Sequence, residues 1–194
     1  MERLAMQNLD RRRVLRSLFA FSGAVGMSKA ISASPIIFED FRDGKASGWR
    51  YVSDRVMGGI SNGEFQIVHE GKLNFARLSG TVSTANNGGF IQMRRDLEQP
   101  FAKDTSGLML RVRGNGEKYF IHLRPKSARR PWHYFAAPID TSGEWQEVTL
   151  PWSRFSAQGG LQASFSPDEA TGIGIVAYGA DYEAKLDVAW ISLV

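Results

Sequence analysis

Eleven short runs of alternating character constrain this chain more than any other feature: PIIFEDF, GWRYVS, GEFQIVHEG, KLNFARLSG, GGFIQMRRD, GLMLRVRG, KYFIHLRP, WHYFAAPI, WQEVTLPW, GIGIVAYG and LDVAWISLV. Each is rich in β-branched and aromatic side chains. Each is bounded by Gly, Asn, Asp, Ser or Pro, which break strands and make turns. A helix needs apolar residues three and four apart, and beyond residue 34 only Pro167 to Ala170 offers a single helical turn. The spacing therefore predicts an all-β chain. Its 194 residues suffice for one domain, 43% of them are apolar, and no internal repeat is visible. The expected architecture is a single-domain two-sheet jelly-roll sandwich, not a propeller or solenoid.

Alternation also assigns faces, because the side-chain period of a strand is two. In GLMLRVRG, Leu108, Leu110 and Val112 share one face and Met109, Arg111 and Arg113 the other. In KYFIHLRP, Tyr119, Ile121 and Leu123 point inward and Phe120, His122 and Arg124 outward. If the two runs pair as a hairpin across GNGE, Arg111, Arg113 and His122 fall on one outer face. That aromatic and basic patch is a candidate ligand or partner surface. The competing reading is a solvated sheet face with snorkelling arginines.

Charge points away from nucleic acid. The net charge is +4 and the isoelectric point about 9.5, but residues 1–34 hold six basic groups and two acids, leaving 18 basic and 18 acidic side chains in the remainder. The folded part is neutral overall, so bulk positive charge does not select its partner.

The first 33 residues read as an export signal. Asp10-Arg11-Arg12-Arg13-Val14-Leu15-Arg16 precedes an uncharged run from Ser17 to Ser28, then Lys29 and the small residues Ala30 to Ser34. The pair Arg11-Arg12 in this setting resembles a twin-arginine signal, implying a cleaved leader over 1–33, a mature domain over 34–194 and a periplasmic destination. A mitochondrial presequence is the alternative. The apolar run is shorter than the roughly 20 residues a membrane span needs, so no stable span is expected in the mature chain.

Catalytic signatures are missing from the sequence. There is no cysteine, hence no disulfide, thiol nucleophile or thiolate metal site. The three histidines, His69, His122 and His133, lack metal-ligand spacing, and no nucleophile elbow or phosphate loop is present. No cofactor is expected and the chain does not read as an enzyme.

One corner carries its own puzzle. Asp54-Arg55-Val56-Met57-Gly58-Gly59 lies between two strands with no helix behind it, which removes the phosphate-loop reading. Asp54, Arg55 and Met57 are candidate partner-binding groups. Structurally, the glycines supply a corner, Asp54 accepts backbone amides and Met57 plugs the end of the sandwich.

Three ordered blocks, GWRYVSDRVMGGISNGEF, LSGTVSTANNGGFIQMRR and GLMLRVRGNGEKYFIHLR, continued by GEWQEVTLPWSRF, resemble the complex I intermediate-associated protein 30 family. Asn115 departs from the Asp more usual there. The resemblance implies a galactose-binding-like jelly roll that acts by protein contact, as an assembly factor or scaffold for a respiratory complex. A second class is carbohydrate binding, since jelly rolls of this kind stack sugars on exposed aromatics. Trp132, Tyr134 and Trp152 are the candidates, with Arg111 or His122 as donors. A structural calcium held by Glu39, Asp40 and Asp187, from the first and last strands, is a further expectation.

Overall fold

The computed structural model describes residues 35–194. Arg11, Arg12 and the whole export-signal expectation over 1–33 lie outside the described residues.

The described residues form twelve strands: β1 (Ile36–Glu39), β2 (Trp49–Ser53), β3 (Asn62–Glu70), β4 (Leu73–Val82), β5 (Phe90–Asp96), β6 (Gly107–Gly114), β7 (Lys118–Pro125), β8 (Phe135–Asp140), β9 (Gln146–Pro151), β10 (Ser156–Ala157), β11 (Ala170–Tyr178) and β12 (Tyr182–Leu193). Eleven correspond to the runs above. The twelfth, β10, has two residues and is too short to leave a periodic signal. The expected helical turn is present as a single 3-10 turn at Pro167–Glu169. Among the described residues no helix is long and apolar enough to cross a membrane.

The strands divide into two six-stranded sheets. The first has the order β3-β4-β12-β6-β9, with β1 added along the far half of β12; the second has the order β10-β8-β7-β11-β5-β2. Every pairing is antiparallel. Consecutive strands often lie in different sheets, as in a jelly roll. The core between them is built from the alternating sets: Leu108, Leu110 and Val112 of β6 face Tyr119, Ile121 and Leu123 of β7, all fully buried.

That facing arrangement overturns the hairpin. β6 pairs with β12 and β9 in the first sheet, whereas β7 pairs with β11 and β8 in the second. The GNGE link is an arch from one sheet to the other. Asn115 fixes it by donating to the Glu183 carbonyl at 2.6 Å and accepting from the Tyr119 hydroxyl at 2.7 Å. Hairpin and arch both bury every second residue, so alternation cannot separate them. Pairing is decided by strands distant in sequence. The consequence is that Arg111 and Arg113 lie on one outer face of the sandwich and His122 on the opposite one.

Candidate ligand cleft on the outer face of the second sheet

The central strand β11 reads ATGIGIVAY. Ile173, Ile175 and Ala177 are buried in the core, so Gly172, Gly174, Val176 and Tyr178 take the outward positions. Two glycines two residues apart leave a stretch of sheet with no side chains. Flanking strands raise walls on either side. Gly174 pairs with Arg94 of β5 and His122 of β7, and Val176 with Gln92 and Phe120. A Cβ at Gly174 would lie 2.9 Å from Gln92 Oε1, so a side chain there would intrude on the wall.

The result is a cleft of 440 Å³. Val56, Met57, Asn87 and Tyr178 stand at one end, Arg124 and Trp132 toward the other, with Gln92, Arg94, His122 and Tyr134 between. From Gly172 to Tyr178 the floor runs about 20 Å at the usual strand rise.

Aromatic rings dominate one wall. Tyr134 stacks on His122 with ring centroids 4.0 Å apart and planes 17° from parallel, and Tyr178 meets the same imidazole edge-on at 6.1 Å. Burial under these rings pushes the His122 pKa down to about 3, so the imidazole is neutral at physiological pH. Burial likewise raises the Tyr134 hydroxyl to about 12, with Tyr178 beside it adding to the shift. Trp132 is 51% exposed and carries the Arg130 guanidinium 5.4 Å from its ring centre. Arg124 fastens this loop by donating to the carbonyls of Ala128 and Arg130.

Met57 and Val56 sit on the rim, and Met57 is 61% exposed. Asp54, three residues before Met57, is buried and turned away. Its carboxylate accepts from the Ser61 amide at 3.0 Å, the Ser61 hydroxyl, the Gly89 amide at 2.6 Å and the Phe90 amide at 3.3 Å. Burial alone would raise its pKa, but these hydrogen bonds together outweigh that and hold it below the usual carboxylate range. The neighbouring glycines have two separate roles. Gly58 (φ +95) and Gly89 (φ +122) adopt backbone that side chains rarely reach, while a Cβ on Gly59 or Gly88 would come within 2.3 Å and 2.4 Å of Asp54 atoms. Both glycine pairs thus wrap one carboxylate. Asp54 therefore has no oxygen free for a ligand, and the binding role expected for it is corrected to a structural one. Arg55 is exposed and does not line the cleft.

Other candidates fall elsewhere. Arg113 donates to Asp187 at 2.8 Å and Glu70 at 2.9 Å on the outer face of the first sheet, where Arg77 also grips Asp187 at 2.6 Å. Arg111 and Arg113 both lie against the Trp145 ring there, at 5.6 and 4.7 Å. Trp152 packs inside, stacked on Phe101 at 5.8 Å with its Nε1 donating to the Thr105 carbonyl. The calcium set does not assemble. Glu39 accepts from Trp49 and Arg95, Asp40 pairs with Arg42, and Asp187 is closed by two guanidiniums. Glu39 registers with Ile191 on β12, four residues or about 13 Å along the strand from Asp187. Among the described residues no group of three His, Asp or Glu side chains is placed to hold a metal ion.

Sequence reasoning named His122, Trp132, Tyr134 and Met57 but missed Gln92, Arg94, Tyr178 and the two floor glycines. The signal was present in Gly-Ile-Gly-Ile: small residues alternating with a core set mark a trough on the opposite face.

The profile described as complex I intermediate-associated protein 30 matches residues 39–186. No curated protein sequence matches. Among solved structures, the fold resembles the family 11 carbohydrate-binding module from Clostridium thermocellum in complex with a β-1,3-1,4-mixed-linked tetrasaccharide, at 17% identity and TM-score 0.67, covering 84% of this chain and 97% of that one. The family 11 module of the cellulosomal cellulase Lic26A-Cel5E of the same organism gives 16% identity and TM-score 0.68 over 84% and 95%. A family 30 carbohydrate-binding module of its cellulase Cel9D-Cel44B gives 15% identity and TM-score 0.55 over 83% and 92%. At such identities the likeness is one of fold.

Proposed function

The chain belongs to the complex I intermediate-associated protein 30 family, and on that premise we propose that it is a non-catalytic binding module whose cleft holds an extended sugar chain. The observation that carries this reading is the stacked His122–Tyr134 pair and exposed Trp132 beside a side-chain-free glycine floor, with Gln92 and Arg94 opposite. Sugar rings present apolar faces and polar edges. Flat aromatic surface takes the first and amide or guanidinium donors take the second. The named sugar-binding modules that share the fold add support by analogy.

Binding without turnover is favoured by the composition of the walls. Hydrolysis of a glycosidic bond ordinarily uses two carboxyl groups flanking it, and the residues lining the cleft include no Asp or Glu. His122 is held neutral, which removes it as a proton donor near pH 7.

A second reading, capture of a protein client, is supported by the family description and by the exposed apolar side chains of Val56, Met57 and Ile60. The twin-arginine pattern supports export, and the family description accords with the mitochondrial alternative. A glycan array together with affinity capture separates the two functions. Sugar binding abolished by Trp132→Ala and weakened far less by Met57→Ser supports the cleft reading. Client capture lost with Met57→Ser, and no glycan retained, overturns it in favour of the second.

A further inference from the structure

We propose that the cleft selects acidic sugar chains, with a uronate carboxylate seated between Arg94 and Arg124. This inference rests on the sugar-binding reading above and adds the charge class of the ligand. Among the described residues two guanidiniums line the cleft and no carboxylate does. Among the described residues Arg124 makes no ion pair; its two bonds go to backbone carbonyls, which hold the side chain in place without neutralising it. Arg94 shares the single Asp96 with Arg50, at 2.9 and 2.7 Å, so that group of three keeps a net positive charge. Arg130, above Trp132, also has no carboxylate partner among the described residues, and His122 is neutral.

Position makes these charges usable. Gly174 registers with Arg94 on the β5 side; Gly172 registers with Arg124 on the β7 side and, on the β5 side, with Asp96, the carboxylate that Arg94 and Arg50 share. The two arginines therefore stand diagonally across the glycine floor, with Cα atoms about 12 Å apart from the strand spacing and rise. Both side chains are long enough to reach one anionic group lying on that floor. The contrast with the rest of the domain gives the arrangement its force. The described domain is close to neutral, and Arg77, Arg95 and Arg113 each pair with a buried or half-buried carboxylate. Arg124 and Arg130, with no carboxylate partner among the described residues, and Arg94, which has only a share of Asp96, stand beside exposed aromatics and suit a ligand that brings its own carboxylate, since planar guanidinium matches carboxylate geometry.

The test is calorimetric titration of the full-length protein with α-1,4-tetragalacturonate and with the neutral β-1,3-1,4-mixed-linked tetrasaccharide. Wild type is expected to bind the acidic chain at least about tenfold more tightly at low salt, with the preference shrinking in 0.5 M NaCl as screening sets in. Arg94→Gln should abolish the preference while leaving the circular dichroism spectrum and melting temperature close to wild type. Equal or tighter binding of the neutral chain overturns the acidic preference and leaves the sugar-binding reading standing. Failure of both chains to bind overturns the two together. A preference that survives Arg94→Gln and Arg124→Gln in folded protein overturns the assignment to these residues.

Discussion

The two outer faces of the sandwich use the same ingredients and finish them differently. On the first sheet, Arg77 and Arg113 converge on Asp187, Glu70 adds a second carboxylate, and Phe75 is fully buried beneath guanidiniums and the edge of Trp145 at 5.4 Å. Charges are paired and the aromatic is covered. On the second sheet, arginines stand beside a glycine trough with no carboxylate among the lining residues, and Trp132 and Tyr178 remain exposed. A patch of arginine and aromatic residues is thus no indicator of binding by itself. What separates a closed structural cluster from a receptive surface is whether its own side chains already satisfy it.

The difference can be broken from the structural side first. Asp187→Ala leaves Arg77 without its carboxylate and Arg113 with the exposed Glu70 alone, both guanidiniums lying against the buried Phe75. A loss of about 3–5 kcal/mol is expected for removing one partner of such a buried group, with ligand binding unchanged in any protein that remains folded. Urea denaturation and calorimetry check the two halves.

Asp54→Asn comes next. The amide keeps the shape of the carboxylate but cannot accept at both ends of the corner, and leaving buried amides short of a partner costs about 1–3 kcal/mol. The sign with pH is fixed by its lowered pKa: the carboxylate stabilises the fold above its ordinary value of 3.8, and that contribution fades as pH falls through the folded value. The variant should therefore lose less stability than wild type on acidification below about 4. Because the corner carries Val56 and Met57, some loss of binding should follow the loss of order.

His122 sharpens the contrast at milder pH. Its folded pKa near 3 lies below the ordinary 6.5, so the unfolded chain takes up a proton that the folded chain refuses. Stability should fall as pH drops from about 6.5 toward 4, and His122→Phe, which preserves a ring under Tyr134, should flatten that slope. Urea midpoints at several pH values measure it. The smallest stability effect belongs to Trp132→Ala, within about 0.5 kcal/mol as for other exposed sites, yet this variant should lose most of the affinity. An equal loss of stability there would place Trp132 with the structural aromatics.

How much of this was legible in the chain follows from the range of the interactions. Strand identity and inward faces are set by local alternation, so eleven strands and the core sets of β6 and β7 could be read directly. Partner strands are set by residues far apart in sequence: Arg113 meets Asp187 across 74 positions and Arg77 meets it across 110. Nothing local distinguishes the GNGE arch from a hairpin, and that one ambiguity moved Arg111 and Arg113 to the wrong face. The corner around Asp54 was half legible. Paired glycines announced an unusual backbone, but that Gly59 and Gly88 are small in order to clear the same carboxylate appears only when two loops meet. The candidate cleft was read through its aromatics and missed through its glycines, because an absent side chain leaves little trace in a hydrophobic pattern.

Amide chemical-shift mapping compares the two faces in one experiment. A spectrum of the 15N-labelled domain is followed while the mixed-linked tetrasaccharide or tetragalacturonate is added. The expected result is perturbation concentrated at Gln92, Arg94, His122, Gly172 and Gly174, with the amides of Arg77, Arg113 and Asp187 unmoved. Shifts confined to the Arg77–Arg113–Asp187 face, or none at all with either sugar in a well-folded sample, would contradict the assignment of the second sheet's outer face as the ligand site.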